Sequence, residues 1–258
     1  MQHPPIIHVE VDGRAVEEQP PFPAFTYGHF TAMQIRGGRV RGLDLHLQRL
    51  DSGHRELFGT GLAADMVRDR IRHALEGRPA DASVRVYVGT STVGTSVMVT
   101  VRAPIDMRDA PWSLLPVPYQ RPLPHTKHLG DFGQTYFRRA AERSGFDDAL
   151  LTGDGGVVSE CAIANFAVFD GSSVIWPNAP ALAGITMQLL EPALAPSGIG
   201  SRHAPVLLGE LASYAAAFVT NARGIAPVAR IDELAIPVDA SLMRTVQDRY
   251  ASVAWDPI

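Results

Sequence analysis

The chain has 258 residues, 46% of them apolar and 19% charged, with a formal net charge of -4. That is enough apolar material for a sizeable core, arranged as one large domain or two small ones. Its scattered basic residues exclude a nucleic-acid footprint, its single cysteine (Cys161) excludes an internal disulfide and fits a reducing cytoplasm, and no apolar run reaches membrane-spanning length.

The opening MQHPPIIHVEVDGR has neither the basic nor the apolar region of a secretory leader. IIHVEVDGRAV alternates around Asp12-Gly13, which predicts a hairpin. FTYGHFTAMQIR and RVRGL predict two strands around Gly37-Gly38. Leu43, Leu47, Leu50 and Leu57 have helical spacing in LDLHLQRLDSGHRELFG, with Asp44 expected as the N-cap, and a second helix is expected from Ala63 to Leu75. SVRVYVGT and SVMVTVRA are rich in β-branched residues and predict strands. Pro111, Pro116, Pro118, Pro122 and Pro124 then predict a passage with no regular element. It divides the chain into an N-terminal α/β domain (1–118), a linker (119–125) and a larger C-terminal domain (126–258). FGQTYFRRAAERSG predicts a helix closed by Gly145. DDALLTGDGGVVSE and NFAVFDGSSVIW predict hairpins turning at Asp154-Gly155 and near Asp170-Gly171. A short helix is expected from Thr186 to Leu194 across Pro192, a buried strand in YAAAFVTN, and a last helix from Asp239 to Val253. The fold class is therefore α+β, in two lobes.

Of the 23 basic residues, 22 are arginine and only Lys127 is lysine. Arginine replaces lysine in ion pairing and solvation, but its guanidinium stays protonated and forms no imine. Lysine chemistry on an aromatic aldehyde cofactor needs an amine that is unprotonated part of the time. It also needs a carboxylate to hold a proton on the ring nitrogen, and helix-start N–H groups, hydroxyls and an arginine for a phosphate. Glu160, Gly184-Ile185-Thr186 and Arg49 offer these. The nine histidines show no metal-ligand spacing, so no metal is expected. His46 is expected to pack or hydrogen-bond within the N-terminal domain. Cys161 is expected to be a small buried apolar residue pointing away from Glu160.

From Tyr27 to Val228 the chain resembles the fold-type IV pyridoxal-phosphate enzymes, the class IV aminotransferases. That family includes branched-chain, D-amino-acid and R-amine transaminases and aminodeoxychorismate lyases. Lys127, Phe146 to Leu151 (FDDALL), Glu160, Asn165-Phe166 and Gly184-Ile185-Thr186 match in that order, and HLQRL (His46 to Leu50) matches the N-domain helix. The resemblance implies a large domain with a β-barrel-like core and pyridoxal 5'-phosphate bound between the lobes of a homodimer. It implies that Lys127 forms the internal aldimine and shuttles a proton, and that Glu160 pairs with the pyridine nitrogen. Arg49, Asn165, Gly184, Ile185, Thr186 and Asn221 would bind the cofactor. Tyr27, Thr31, Arg121, Ala222 and Arg223 are substrate candidates, with Arg121 and Arg223 expected to face a substrate carboxylate.

The expected reaction moves an amino group between an amino acid or amine and a 2-oxo acid, in the cytoplasm, with no nucleic-acid or membrane partner. Phe132 stands five positions after the lysine, where branched-chain members commonly carry tyrosine. Thr31 stands where many transaminases carry Glu, and with KHLGDF, SECAIAN and TNARGIAPV it leans toward the lyase branch, which releases pyruvate from 4-amino-4-deoxychorismate to give 4-aminobenzoate. Asp131-Phe132 departs from the lyase pattern. A lyase, and a scaffold that has lost catalysis, are the alternatives.

Overall fold

The computed structural model describes residues 5–16, 27–91, 94–108 and 110–258. The start of the chain before residue 5, and Phe25 and Thr26 of the second predicted strand segment, lie outside them. The chain divides into two compact units. One comprises Met1–Asp106, Thr126–Gly130 and Ala254–Ile258; the other comprises Met107–His125 and Asp131–Val253.

In the first unit, β1 (Ile6–Val11) turns through Asp12-Gly13 into β2 (Arg14–Ala15), with both turn residues at positive φ as a tight hairpin requires. β3 (Gly28–Ile35) leads through Gly37-Gly38 into β4 (Arg39–Val40). Helices α1 (Leu43–Phe58) and α2 (Ala64–Leu75) follow, then the antiparallel pair β5 (Ala82–Ser91) and β6 (Gly94–Arg102). The five-stranded sheet runs β2-β1-β6-β5-β3. Strand alternation puts Val84, Val86, Val88, Val97, Val99 and Val101 on the face packed by Leu43, Leu47 and Leu50 of α1 and Val67 and Ile71 of α2. Mid-helix Gly53 has a packing reason, since a Cβ there would lie 3.0 Å from His29 Nδ1 of β3. Asp44 is not the N-cap of α1. Gly42 takes that place in the left-handed region, and the Leu43 N–H is capped by Asp256 Oδ2 at 2.9 Å. Residues 256 and 257 also pair with β4, and Arg41 lies over the Trp255 ring.

In the second unit the proline-rich passage contains a strand, β7 (Trp112–Pro118), contrary to expectation. Around it stand α3 (Phe132–Arg143), β8 (Asp148–Thr152), β9 (Val158–Cys161), β10 (Asn165–Phe169), β11 (Ser173–Pro177) and α4 (Ile185–Leu194). Then come β12 (Gly200–Ala204), β13 (Ala216–Asn221), β14 (Gly224–Ile231), β15 (Leu234–Ala235) and α5 (Ala240–Ala251). The sheet order is β12-β11-β10-β13-β14-β7-β8-β9, with β15 added to β14. β7 pairs in parallel with β14 only over Trp112 to Leu114 and with β8 from Leu114 to Pro118. Pro116 and Pro118 thus sit where one neighbour has ended, the place a strand tolerates a missing N–H. The compact units do not follow the expected bounds of 1–118, 119–125 and 126–258 residue by residue, and those bounds stay a proposal. β7 belongs to the second unit because it is laced into that sheet, and Thr126–Gly130 belongs to the first.

The two faces of this sheet bury separate cores. Phe166, Val168, Val219 and Val228 lie in one with Trp112, while Ala167, Phe169, Trp176 and Phe218 pack in the other against α4 and α5. Asp239 caps α5 by accepting from Ser241 N and Leu242 N, and Gly145 ends the α3 region at φ 81°. Cys161 is buried in the first of these cores, where burial pushes its thiol well above the usual range.

Candidate active site

Lys127 is held by the edge of β3. Its carbonyl accepts from Phe30 N at 2.9 Å, and Leu129 N donates to Gly28 O at 2.9 Å. The lysine is half-buried, with Nζ 4.8 Å from the centre of the Phe30 ring. Phe30 was not among the expected site residues, although strand alternation put it and Thr31 on opposite faces. Thr31 is fully buried, and its Oγ1 lies 2.6 Å from His46 Nδ1. Its hydroxyl is thus engaged beneath α1. His46 is pushed down to about 3 by burial, and further by the positive charges of Arg49 and Lys127, so the imidazole is neutral. It is the internal hydrogen-bonding residue expected. Arg49 is half-buried one turn further along α1. Tyr27 is largely exposed, packs edge-on against Phe58 and donates to Leu57 O at 3.4 Å.

The second unit brings the remaining candidates into two connected groups. Glu160, on β9, is 5% exposed. Its Oε1 lies 3.3 Å from Arg121 NH1, and its Oε2 accepts from Leu182 N at 3.3 Å. Arg121 is itself buried. Leu182 clamps two site residues at once, because its carbonyl accepts from Asn165 Nδ2 at 2.6 Å. No sequence signal marks it, since both contacts use backbone atoms.

Asn165 Oδ1 fills the space beside Gly184; a Cβ on Gly184 would approach it to 1.7 Å. Glycine is therefore required where the chain enters α4. That helix starts at Ile185 with no side-chain cap, leaving first-turn N–H groups to another acceptor. Thr186 Oγ1 donates to Asn221 O at 2.7 Å, tying α4 to the end of β13. Asn221 donates from Nδ2 to Ile163 O at 3.3 Å and accepts from Arg223 N at 2.8 Å, which fixes the Ala222-Arg223 turn between β13 and β14. Phe132 is 82% exposed and stacks on Tyr136. Among the described residues there is no cluster of metal-ligating side chains, and no helix is long and apolar enough to cross a membrane.

A curled mixed sheet with flanking helices in one unit, and a smaller five-stranded sheet in the other, match the fold of the fold-type IV aminotransferases. The chain is similar to the fold IV-transaminase CpuTA1 from Curtobacterium pusillum, with 18% identity, TM-score 0.83, and 93% of this chain and 94% of that one covered. It is also similar to an aminotransferase from Brucella abortus bound to PLP, at 19% identity, TM-score 0.83 and 96% and 98% coverage. A proposed 4-amino-4-deoxychorismate lyase from Legionella pneumophila matches at 18% identity, TM-score 0.76 and 85% and 88% coverage. No curated protein sequence matches. The model of the amino-transferase class IV family matches residues 28–231, and the chain belongs to that family.

Proposed function

We propose that this chain is a pyridoxal-phosphate-dependent aminotransferase that moves an amino group between an amino acid or amine and a 2-oxo acid. The observation that carries the reading is the buried Glu160, whose two oxygens are fixed by Arg121 and by Leu182 N. A buried carboxylate fixed in this way is the group proposed to accept from a protonated ring nitrogen. The donor set suits the cofactor further. The uncapped start of α4 provides N–H groups and a helix dipole for a phosphate, and Gly184 keeps side-chain bulk away from that start. Arg49 adds a guanidinium for the same phosphate.

When bound, pyridoxal phosphate supplies an electron-accepting ring. Lys127 supplies the amine that anchors it and carries the proton at the substrate Cα. Glu160 holds the proton on the ring nitrogen. Ile185 and Thr186 donate backbone N–H groups to the phosphate. Asn165 and Asn221 act on the shape of the loops around it, because their amides engage Leu182 and Ile163. Tyr27, Thr31, Arg121, Ala222 and Arg223 remain the residues proposed to meet substrate, and the enzyme is proposed to work as a homodimer in the cytoplasm.

The test supplies the purified protein with pyridoxal phosphate, a panel of amino donors and a common 2-oxo acid. Appearance of the new amino acid supports the reading. Formation of 4-aminobenzoate and pyruvate from 4-amino-4-deoxychorismate, without amino transfer, would replace it with the lyase.

A further inference from the structure

Asp148 opens the strand β8 with no exposed surface, and the chemistry assigned above does not use it. Its Oδ1 accepts from Ala149 N at 2.9 Å and its Oδ2 from Ile163 N at 3.2 Å. Ile163 lies in the tight turn between Glu160 and Asn165, which is also closed by Cys161 N to Ala164 O at 2.8 Å and by Ala162 N to Ala149 O at 3.0 Å. The other end of the Ile163 residue, its carbonyl, accepts from Asn221 Nδ2, and the Asn221 carbonyl accepts from Thr186 Oγ1. One unbroken path of hydrogen bonds thus runs from a buried carboxyl to the first turn of α4.

We infer that Asp148 is a positioning residue that sets the turn between Glu160 and Asn165 and, through Ile163, Asn221 and Thr186, the phosphate-facing start of α4. The inference rests on the cofactor reading above for its functional meaning, but the relay itself is a property of the chain. An ionised carboxylate accepts both N–H groups in charge-assisted bonds; a protonated one gives up that charge and directs one oxygen to donate. Burial lifts the Asp148 carboxyl to about 7, so both forms are populated near neutrality. The charged and titratable groups that face it are Arg138 and Glu142 of α3, which pair with each other at 3.0 Å, and the Cys161 thiol; β7 contributes no charged side chain. Burial outweighs the bonds to Ala149 and Ile163 and holds the folded carboxyl above its ordinary value, so openings that admit water to Asp148 are favoured by ionisation and the relay loosens as pH rises from about 4 to about 7.

Hydrogen–deuterium exchange on the protein without added cofactor, corrected for intrinsic rates, tests this directly. Protection in peptides 161–166 and 184–190 of the wild type is expected to fall from about pH 6 to about pH 8, with no matching change in 240–251. Asp148→Asn is nearly isosteric but turns an NH2 group toward one of the two N–H donors. It should raise exchange in both peptides by about tenfold at pH 8, the factor that one lost hydrogen bond gives, and abolish the pH trend. Asn221→Ala added to Asp148→Asn should raise exchange in 184–190 little further, since both interrupt one path. Pyridoxal phosphate should bind the Asp148→Asn protein about tenfold more weakly. Wild-type protection that does not change with pH, or full additivity of the two substitutions, would overturn the inference. A wild type that binds no pyridoxal phosphate would instead overturn the proposed function, and the exchange result would stand independently.

Discussion

Gly184→Ala isolates a single contact, because the glycine sits at φ -63°, ψ 140°, a conformation open to any residue. The consequence is therefore steric. The new Cβ would fall 1.7 Å from Asn165 Oδ1, far inside contact distance, so Asn165 must turn or the entry to α4 must shift. Overpacking of this kind costs about 1–3 kcal/mol. Turning Asn165 also breaks its 2.6 Å bond to Leu182 O, which adds about 0.5–1.5 kcal/mol. The sum, about 1.5–4.5 kcal/mol, corresponds to a fall in Tm of about 3–18 °C at about 2–4 °C per kcal/mol. Thermal denaturation followed by circular dichroism reads this value. Asn165→Ala removes the obstructing oxygen, so the double substitution should be less destabilised than the sum of the two single ones. An unchanged Tm in Gly184→Ala, or strict additivity in the pair, would refute the reasoning from this contact.

Borohydride treatment of the protein with pyridoxal phosphate should label Lys127, the only lysine, and peptide mass spectrometry identifies the site; Lys127→Ala and Lys127→Arg should lose turnover by many orders of magnitude with unchanged circular dichroism. Glu160→Gln should keep cofactor affinity within a few-fold yet turn over slowly, a split that steady-state kinetics and a cofactor titration resolve; full activity would remove Glu160 from its assigned part. Arg49→Ala should weaken cofactor binding about tenfold or more, from about 1.5–3 kcal/mol per charged hydrogen bond, with saturating cofactor restoring most of the rate. His46 is held neutral by burial, with a folded value near 3 against 6.5 unfolded, so its contribution to stability is present above about pH 6.5 and is lost as pH falls toward about 3. Denaturant titrations should show His46→Gln with a shallower loss of stability across that window.

The elements that carry a strong local rule were legible in the sequence. Asp12-Gly13, Asp154-Gly155 and Asp170-Gly171 mark real turns, and the leucine spacing of α1 and the end of α3 at Gly145 match the structure. The errors arose where tertiary pairing outweighs local chemistry. Prolines 116 and 118 argue against a strand until one knows that β14 has already left that side of β7. Pro227 is accommodated similarly, one residue before the β7 ladder begins. β12 runs GSRHA along an outer edge and is mostly exposed, so no apolar alternation announces it. Asp44 looks like an N-cap from its neighbours alone, whereas the actual capping carboxylate belongs to Asp256. In the candidate site, residue types pointed to Lys127, Glu160 and Gly184. The partners that fix them, such as Arg121 and the backbone of Leu182, emerge only from the fold.

The cap on α1 has a consequence for how the protein is made. Leu43 N–H and its acceptor Asp256 lie 213 residues apart in the chain, and every residue of the second unit is translated between them. On the ribosome the first unit waits without this cap on α1 while its neighbour is synthesised. Vectorial synthesis thus cannot complete the units in the order in which they begin. Residues 254–258, few as they are, supply that cap only after the second unit has been made, and a chain stopped short of them would be marked by a loose N-terminal helix, open to a protease.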